Sequence, residues 1–149
     1  MTAQAGGASL TSSLRSADRN DVRRQMRRMR RSLSRTQQRV AANQVANQLT
    51  RAMILRPGRR IGVYLALPGE LNLQPTIQVA RSRGCRLFVP HILSSARGRM
   101  AFYAFTPQMR LRTHRWGIPQ LPSVVGKTPV RTIELDVVLV PLLAFDILG

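Results

Sequence analysis

From Ile61 to Leu67 the chain reads Ile-Gly-Val-Tyr-Leu-Ala-Leu, a run that Pro68-Gly69 stops abruptly. No charge interrupts it. Such a run suits a strand buried on both faces, the kind found inside parallel sheets covered by helices. Glu70 stands just past the carboxyl end of that strand. In open α/β sheets, ligands bind in the crevice at those ends. A carboxylate placed there, in a chain with only six acidic residues, is the first candidate for a functional group.

The flanking sequence supplies the rest of an α/β fold. Val22, Met26, Met29 and Leu33 recur at helical spacing over 19–33. Arg19, Arg23, Arg27 and Arg30 form a basic row beside that stripe. Like charges four residues apart repel by roughly 0.2–0.5 kcal/mol per pair, which a bound anion would offset. Solvation alone also accounts for such a face. Ser34-Arg35-Thr36-Gln37 has the form of a capping box and starts a second helix, whose apolar positions include Ala42, Val45, Ala46 and Leu49. Pro57-Gly58 ends it.

Beyond Glu70, Asn72 fits an N-cap, Pro75 a first helical turn and Gly84 the position after a helix. Residues 85–90 then read as a strand, which completes a strand–helix–strand unit. Residues 100–105 form a further strand. Residues 106–129 read as loop, with four prolines and the single tryptophan, Trp116. Residues 136–141 are a last buried strand. The expected fold is α/β, an open and mostly parallel sheet flanked by helices in three Rossmann-like layers. Residues 1–17, rich in Gly, Ser, Ala and Thr, read as a disordered tail; their lack of acids also fits a targeting segment. Residues 18–149 are expected to form one domain. A buried strand is ordinarily followed by a covering helix, so the domain reads as missing its C-terminal part.

Composition bounds the function. The net charge is +18, and Lys127 is the only lysine. That surplus attracts polyanions such as nucleotides, nucleic acid or a polyglutamate tail. No apolar run approaches the roughly 20 residues of a membrane span, and no signal-peptide pattern opens the chain, so a soluble cytoplasmic monomer is expected. The single Cys85 agrees with a reducing compartment. Two histidines and one cysteine make neither a transition-metal site nor a nucleophilic triad.

Taken together, the ordered pieces resemble the 5-formyltetrahydrofolate cyclo-ligases, also called methenyltetrahydrofolate synthetases. The resemblance runs from about Arg19 to Gly149. It rests on Arg19, Arg23, Leu33-Ser34 and Arg39; on Ile61 to Glu70; on Gly84 to Pro90; on Met100-Ala101-Phe102; on Trp116-Gly117-Ile118-Pro119-Gln120; and on Asp136 to Gly149 with its Phe145-Asp146 turn. Arg19 stands where the family commonly has lysine, which keeps the charge but presents a planar fork. The family's glycine-rich segment R-L-G-x-G-x-G-Y-Y-D does not occur among the 149 residues.

The resemblance implies an ATP- and magnesium-dependent ligase that cyclises 5-formyltetrahydrofolate to 5,10-methenyltetrahydrofolate. It implies that Arg19 and Arg23 bind ATP phosphates, that Glu70 binds the pterin, and that Leu65, Met100, Phe102 and Trp116 line the substrate pocket. Read from the residues alone, Met100 and Phe102 equally suit a core. Asp136, Glu134 and Asp146 suit structural roles. No side chain is expected to act as a catalytic nucleophile, and none as a metal ligand. Lacking the glycine-rich segment, these residues are expected to be inactive by themselves. The competing reading is an arginine-rich nucleic-acid binder. The absence of RRM, KH or zinc-finger patterns and an aromatic content of 5% count against it.

Overall fold

The computed structural model describes residues 7–94, 99–109, 111–113, 119–121, 124 and 126–145. Helix α1 is Gly7–Ser32, α2 Arg35–Arg51 and α3 Gln74–Ser82. The strands are β1 Arg60–Gly62, β2 Arg86–Ser94, β3 Arg99–Ala104, β4 Arg112–Thr113, β5 Pro119–Gln120 and β6 Val137–Val138. A short 3-10 turn spans Thr132–Glu134. The chain divides into two compact units, one of Ser34–Pro141 and the other of Met1–Leu33 with Leu142–Gly149.

Within Ser34–Pro141 the sheet order is β3-β2-β1-β6. β1 pairs in parallel with both β2 and β6, and β2 pairs antiparallel with β3. The sheet is thus mixed, with its parallel part centred on β1. Ile61 of β1, Val63 just beyond it, and Leu87 and Val89 of β2 join Leu73, Ile77 and Ala80 in the core on one face. Ala42 and Ala46 are the buried residues of α2; their small side chains let it approach α3 closely. The other face of the sheet carries Phe88 and Phe102, both buried. Gly62 lies beneath them. A β-carbon there would sit 3.0 Å from the Phe102 ring and 3.0 Å from Leu135, so the close packing of that face requires glycine.

Local chemistry accounts for the helix ends. Ser34 Oγ accepts from the Gln37 amide at 3.2 Å while the Ser34 amide donates to Gln37 Oε1 at 2.8 Å, the reciprocal pair expected from the sequence. α2 stops before Pro57-Gly58. The amide of Met53 bonds Thr50 O and that of Ile54 bonds Leu49 O, each at 3.0 Å. These are the two bonds of a Schellman ending. The left-handed residue in it is Met53, at φ 56°. α3 begins at Gln74, one residue later than an Asn72 cap would give, although Asn72 Oδ1 still accepts the Gln74 amide at 2.8 Å. Gly84 takes φ 75° after α3, as expected.

Several boundaries differ from expectation. α1 starts at Gly7, so the expected tail of 1–17 is helical from that residue; no proline lies between Gly7 and Ser32 to stop it. Residues 1–6 lie outside the described part. Val22 and Met29 of α1, and Leu33 just past its end, are exposed. β1 ends at Gly62 rather than Leu67, and β6 has two residues rather than six, because the ladder between them closes with the Leu139 amide on Gly62 O at 2.8 Å. β2 runs past Pro90 to Ser94 because β3 pairs with it to the end.

Candidate functional site

β1 is flanked by β2 on one side and β6 on the other. The connection through α3 leads to β2, and the later chain returns to the opposite side. The strand order therefore reverses at β1, the position at whose carboxyl end open α/β sheets bind ligands. The Val63 amide donates to Phe88 O at 2.8 Å, the last ladder bond of β1 towards β2. Beyond it the chain leaves the sheet and forms a loop over this end.

That loop is held by its own side chains. The Tyr64 hydroxyl donates to Leu71 O at 2.9 Å. The Leu67 amide donates to Glu70 Oε2 at 3.0 Å, and the Glu70 amide donates back to Leu67 O at 2.9 Å. Gly69 takes φ 84°, a left-handed turn residue that a side chain would strain. Glu70 is half-buried. An ionised carboxylate offers about four lone-pair directions, so the bond from Leu67 orients it and leaves most of its accepting capacity in place.

Leu65, half-buried, and Glu70 lie on this loop. Met100 reaches the same rim from β3, because β3 runs antiparallel and begins where β2 ends. It pairs across the ladder with Ile92, and the two are 54% and 57% exposed, an apolar ledge at the carboxyl ends of the strands. Phe102, two residues further into β3, is only 3% exposed and belongs to the packed face over Gly62. Trp116 and Asp146 lie outside the described residues. The ribbon of β4 and β5 brackets residues 114–118 in sequence. Arg19 and Arg23 stand one helical turn apart on α1, both exposed. α1 belongs to the other unit.

Two further acids, Asp136 and Glu134, have structural work. Asp136 Oδ2 accepts the Arg60 amide at 2.7 Å, and the Asp136 amide donates to Arg60 O at 2.9 Å, which ties the start of β6 to the start of β1. Glu134 Oε2 accepts the Arg131 amide at 2.7 Å, and this bond holds its carboxyl below the ordinary value. Among the described residues no group of three His, Cys, Asp or Glu side chains converges on a point. His91 meets the Tyr103 ring edge-on at 5.9 Å. The Cys85 thiol donates to Arg56 O at 3.1 Å, and burial pushes its pKa up, so it is a protonated packing group. Sequence reading missed the Tyr64 strap. A tyrosine inside a continuous apolar run gave the available signal, since a buried hydroxyl needs a partner.

The pattern of the 5-formyltetrahydrofolate cyclo-ligase family matches residues 15–149. The chain belongs to that family. A 5-formyltetrahydrofolate cyclo-ligase of Escherichia coli K12 is 31% identical over 103 residues, which cover 67% of this chain and 56% of that protein. Its counterpart in Escherichia coli O157:H7 matches equally. The chain thus spans about half the length of the curated cyclo-ligases it matches. The fold is that of the 5,10-methenyltetrahydrofolate synthetase of Aquifex aeolicus, with a TM-score of 0.70 at 20% identity over 85% of this chain and 62% of that one. The synthetase of Mycoplasma pneumoniae gives 0.60 at 16% identity, over 84% and 64%. No helix among the described residues is long and apolar enough to cross a membrane.

Proposed function

We propose that the chain carries the substrate-binding part of a cytoplasmic, ATP-dependent 5-formyltetrahydrofolate cyclo-ligase acting as a monomer, with residues 18–149 as the ligase domain. The observation that carries this reading is Glu70, held in a pinned turn at the carboxyl switch point of a cyclo-ligase sheet. In this reading Glu70 accepts paired hydrogen bonds from the ring N–H and exocyclic amine of the pterin. Leu65 and Met100 supply apolar contact, Phe102 backs the site from within the sheet, and Trp116 offers a flat face for stacking.

The chemistry needs no protein nucleophile. The formyl oxygen attacks the γ-phosphate of ATP and displaces ADP, which turns a poor leaving oxygen into phosphate. The neighbouring aryl nitrogen then closes the ring on the same carbon, and phosphate departs. Catalysis of this type is positioning and charge stabilisation. Arg19 and Arg23 suit the triphosphate, since two exposed guanidinium groups one turn apart can each give charge-assisted bonds. Magnesium would neutralise the phosphate oxygens. The residues R-L-G-x-G-x-G-Y-Y-D are absent from the 149, so this polypeptide alone is proposed to bind folate without turning it over.

Titration of the 149-residue chain with 5-formyltetrahydrofolate, followed by calorimetry and by the fluorescence of Trp116, tests the reading. Saturable binding that changes the spectrum, with no methenyl product after ATP and magnesium are added, is expected. Heat and spectrum both unchanged at millimolar folate would overturn it. Binding that collapses steeply with salt and extends to any oligonucleotide would favour the nucleic-acid reading instead.

A further inference from the structure

The opposite rim of the same sheet, at the amino end of β2 and the carboxyl end of β3, holds a cavity of about 420 Å³. Its lining includes Arg81 from the last turn of α3, Arg86 and Phe88 from β2, and Phe105 and Pro107 from the chain leaving β3. The folate reading uses none of these residues.

Positive charge is concentrated here against the sheet's own interest. Arg60 and Arg86 are direct partners across the β1–β2 ladder, an arrangement in which like charges destabilise pairing. Arg60 is laid over the Phe88 ring at 5.3 Å and Arg81 over the Phe105 ring at 4.6 Å, so aromatic faces hold both guanidinium groups in place. The Nε atoms of Arg60 and Arg81 are buried with no hydrogen-bond partner among the described residues. Arg81 makes one long bond, from Nη2 to Phe105 O at 3.4 Å, and its surroundings disfavour its charge. The two acids of this rim are already engaged, Asp136 with the Arg60 amide and Glu134 with Arg131. Among the described residues no carboxylate pairs with Arg81 or Arg86.

We propose that this cavity binds the phosphate group of a small organic phosphomonoester, with Arg81 and Arg86 holding the phosphate and Phe105 and Pro107 flanking the organic part. A phosphate dianion supplies the negative partner that the lining guanidinium groups of Arg81 and Arg86 lack among the described residues. The concavity favours a small ligand. Phe88 is 2% exposed, so its ring is closed to the base stacking on which single-strand nucleic-acid binding relies.

The test is calorimetric titration of the 149-residue chain with phenyl phosphate and with inorganic phosphate, at ionic strength held constant with chloride. Arg86 is exposed, so Arg86→Gln is expected to fold normally, with an unchanged melting temperature as the control. Arg86→Gln and Arg81→Met should each weaken phenyl phosphate binding about tenfold, the loss of one charge-assisted bond. Arg35→Gln, an equal charge loss at the start of α2, should bind as the parent chain does. Equal weakening by Arg86→Gln and Arg35→Gln would reduce the site to general charge and overturn the proposal. Phenyl phosphate bound no more tightly than inorganic phosphate would overturn its organic half. An oligonucleotide bound far more tightly than either, independently of Arg86, would overturn it in favour of backbone binding.

Discussion

Glu70 Oε2 stands 3.0 Å from the amide nitrogen of Leu67, so the proposed pterin ligand also closes its own turn. The two roles separate by substitution. Glu70→Gln keeps an oxygen for the Leu67 amide and loses the charge. Glu70→Ala loses both, and with the turn bond about 1 kcal/mol of stability. Folate affinity is expected to fall at least tenfold in each variant, and the melting temperature only in Glu70→Ala. Unchanged folate binding by Glu70→Gln would confine Glu70 to the turn.

Gly62 is the point of closest approach between β1 and the packed far face. Gly62→Ala brings a methyl to 3.0 Å from both Phe102 and Leu135. Phe102 is buried and has little room to retreat. Overpacking of this kind costs roughly 1–3 kcal/mol, which urea denaturation would register as a lower midpoint. A midpoint equal to that of the parent chain would mean the face is looser than its geometry implies.

Met53 holds a left-handed conformation at the end of α2, where a β-carbon costs roughly 1–2 kcal/mol. Its side chain is 48% exposed and contributes little packing in return. Met53→Gly should therefore raise stability by about 0.5–1 kcal/mol, after the greater entropy of glycine in the unfolded chain is subtracted. A loss of stability would show that the methionine side chain packs usefully.

Cys85 has its pKa raised by burial, with Arg83 and Arg59 opposing the shift. The folded state then favours the protonated thiol. That contribution is complete below the ordinary thiol value of 9.0 and is lost as pH rises beyond it, because the unfolded chain ionises first. The stability margin of the parent chain over Cys85→Ala should thus shrink above pH 9. At neutral pH the thiol should resist alkylation until urea unfolds the chain. Rapid alkylation of the native protein would contradict its burial.

The strand–helix–strand order around α3, the capping box at Ser34 and the turn glycine at 84 were legible because each depends on neighbours a few residues apart. Family membership was legible for a related reason, since short patterns in a fixed order survive without reference to space. The length of β1 was not legible. An apolar run reports burial, and residues 64–67 are half-buried in a loop rather than in a ladder, because no described strand pairs with them. Phe102 showed the same ambiguity, and only its ring over Gly62 placed it in the core.

From its sequence alone the chain fixed its α/β class, its family, and a carboxylate just past the first strand. Tertiary structure decided where that strand ends, that Glu70 is held by Leu67, that Arg60 and Arg86 are ladder partners, and that Arg81 and Arg86 line one cavity. Local propensity and apolar periodicity act within a few residues and can be read along the chain. Register, cavity and unpaired charge arise from segments separated by tens of residues, and exist only once those segments pack.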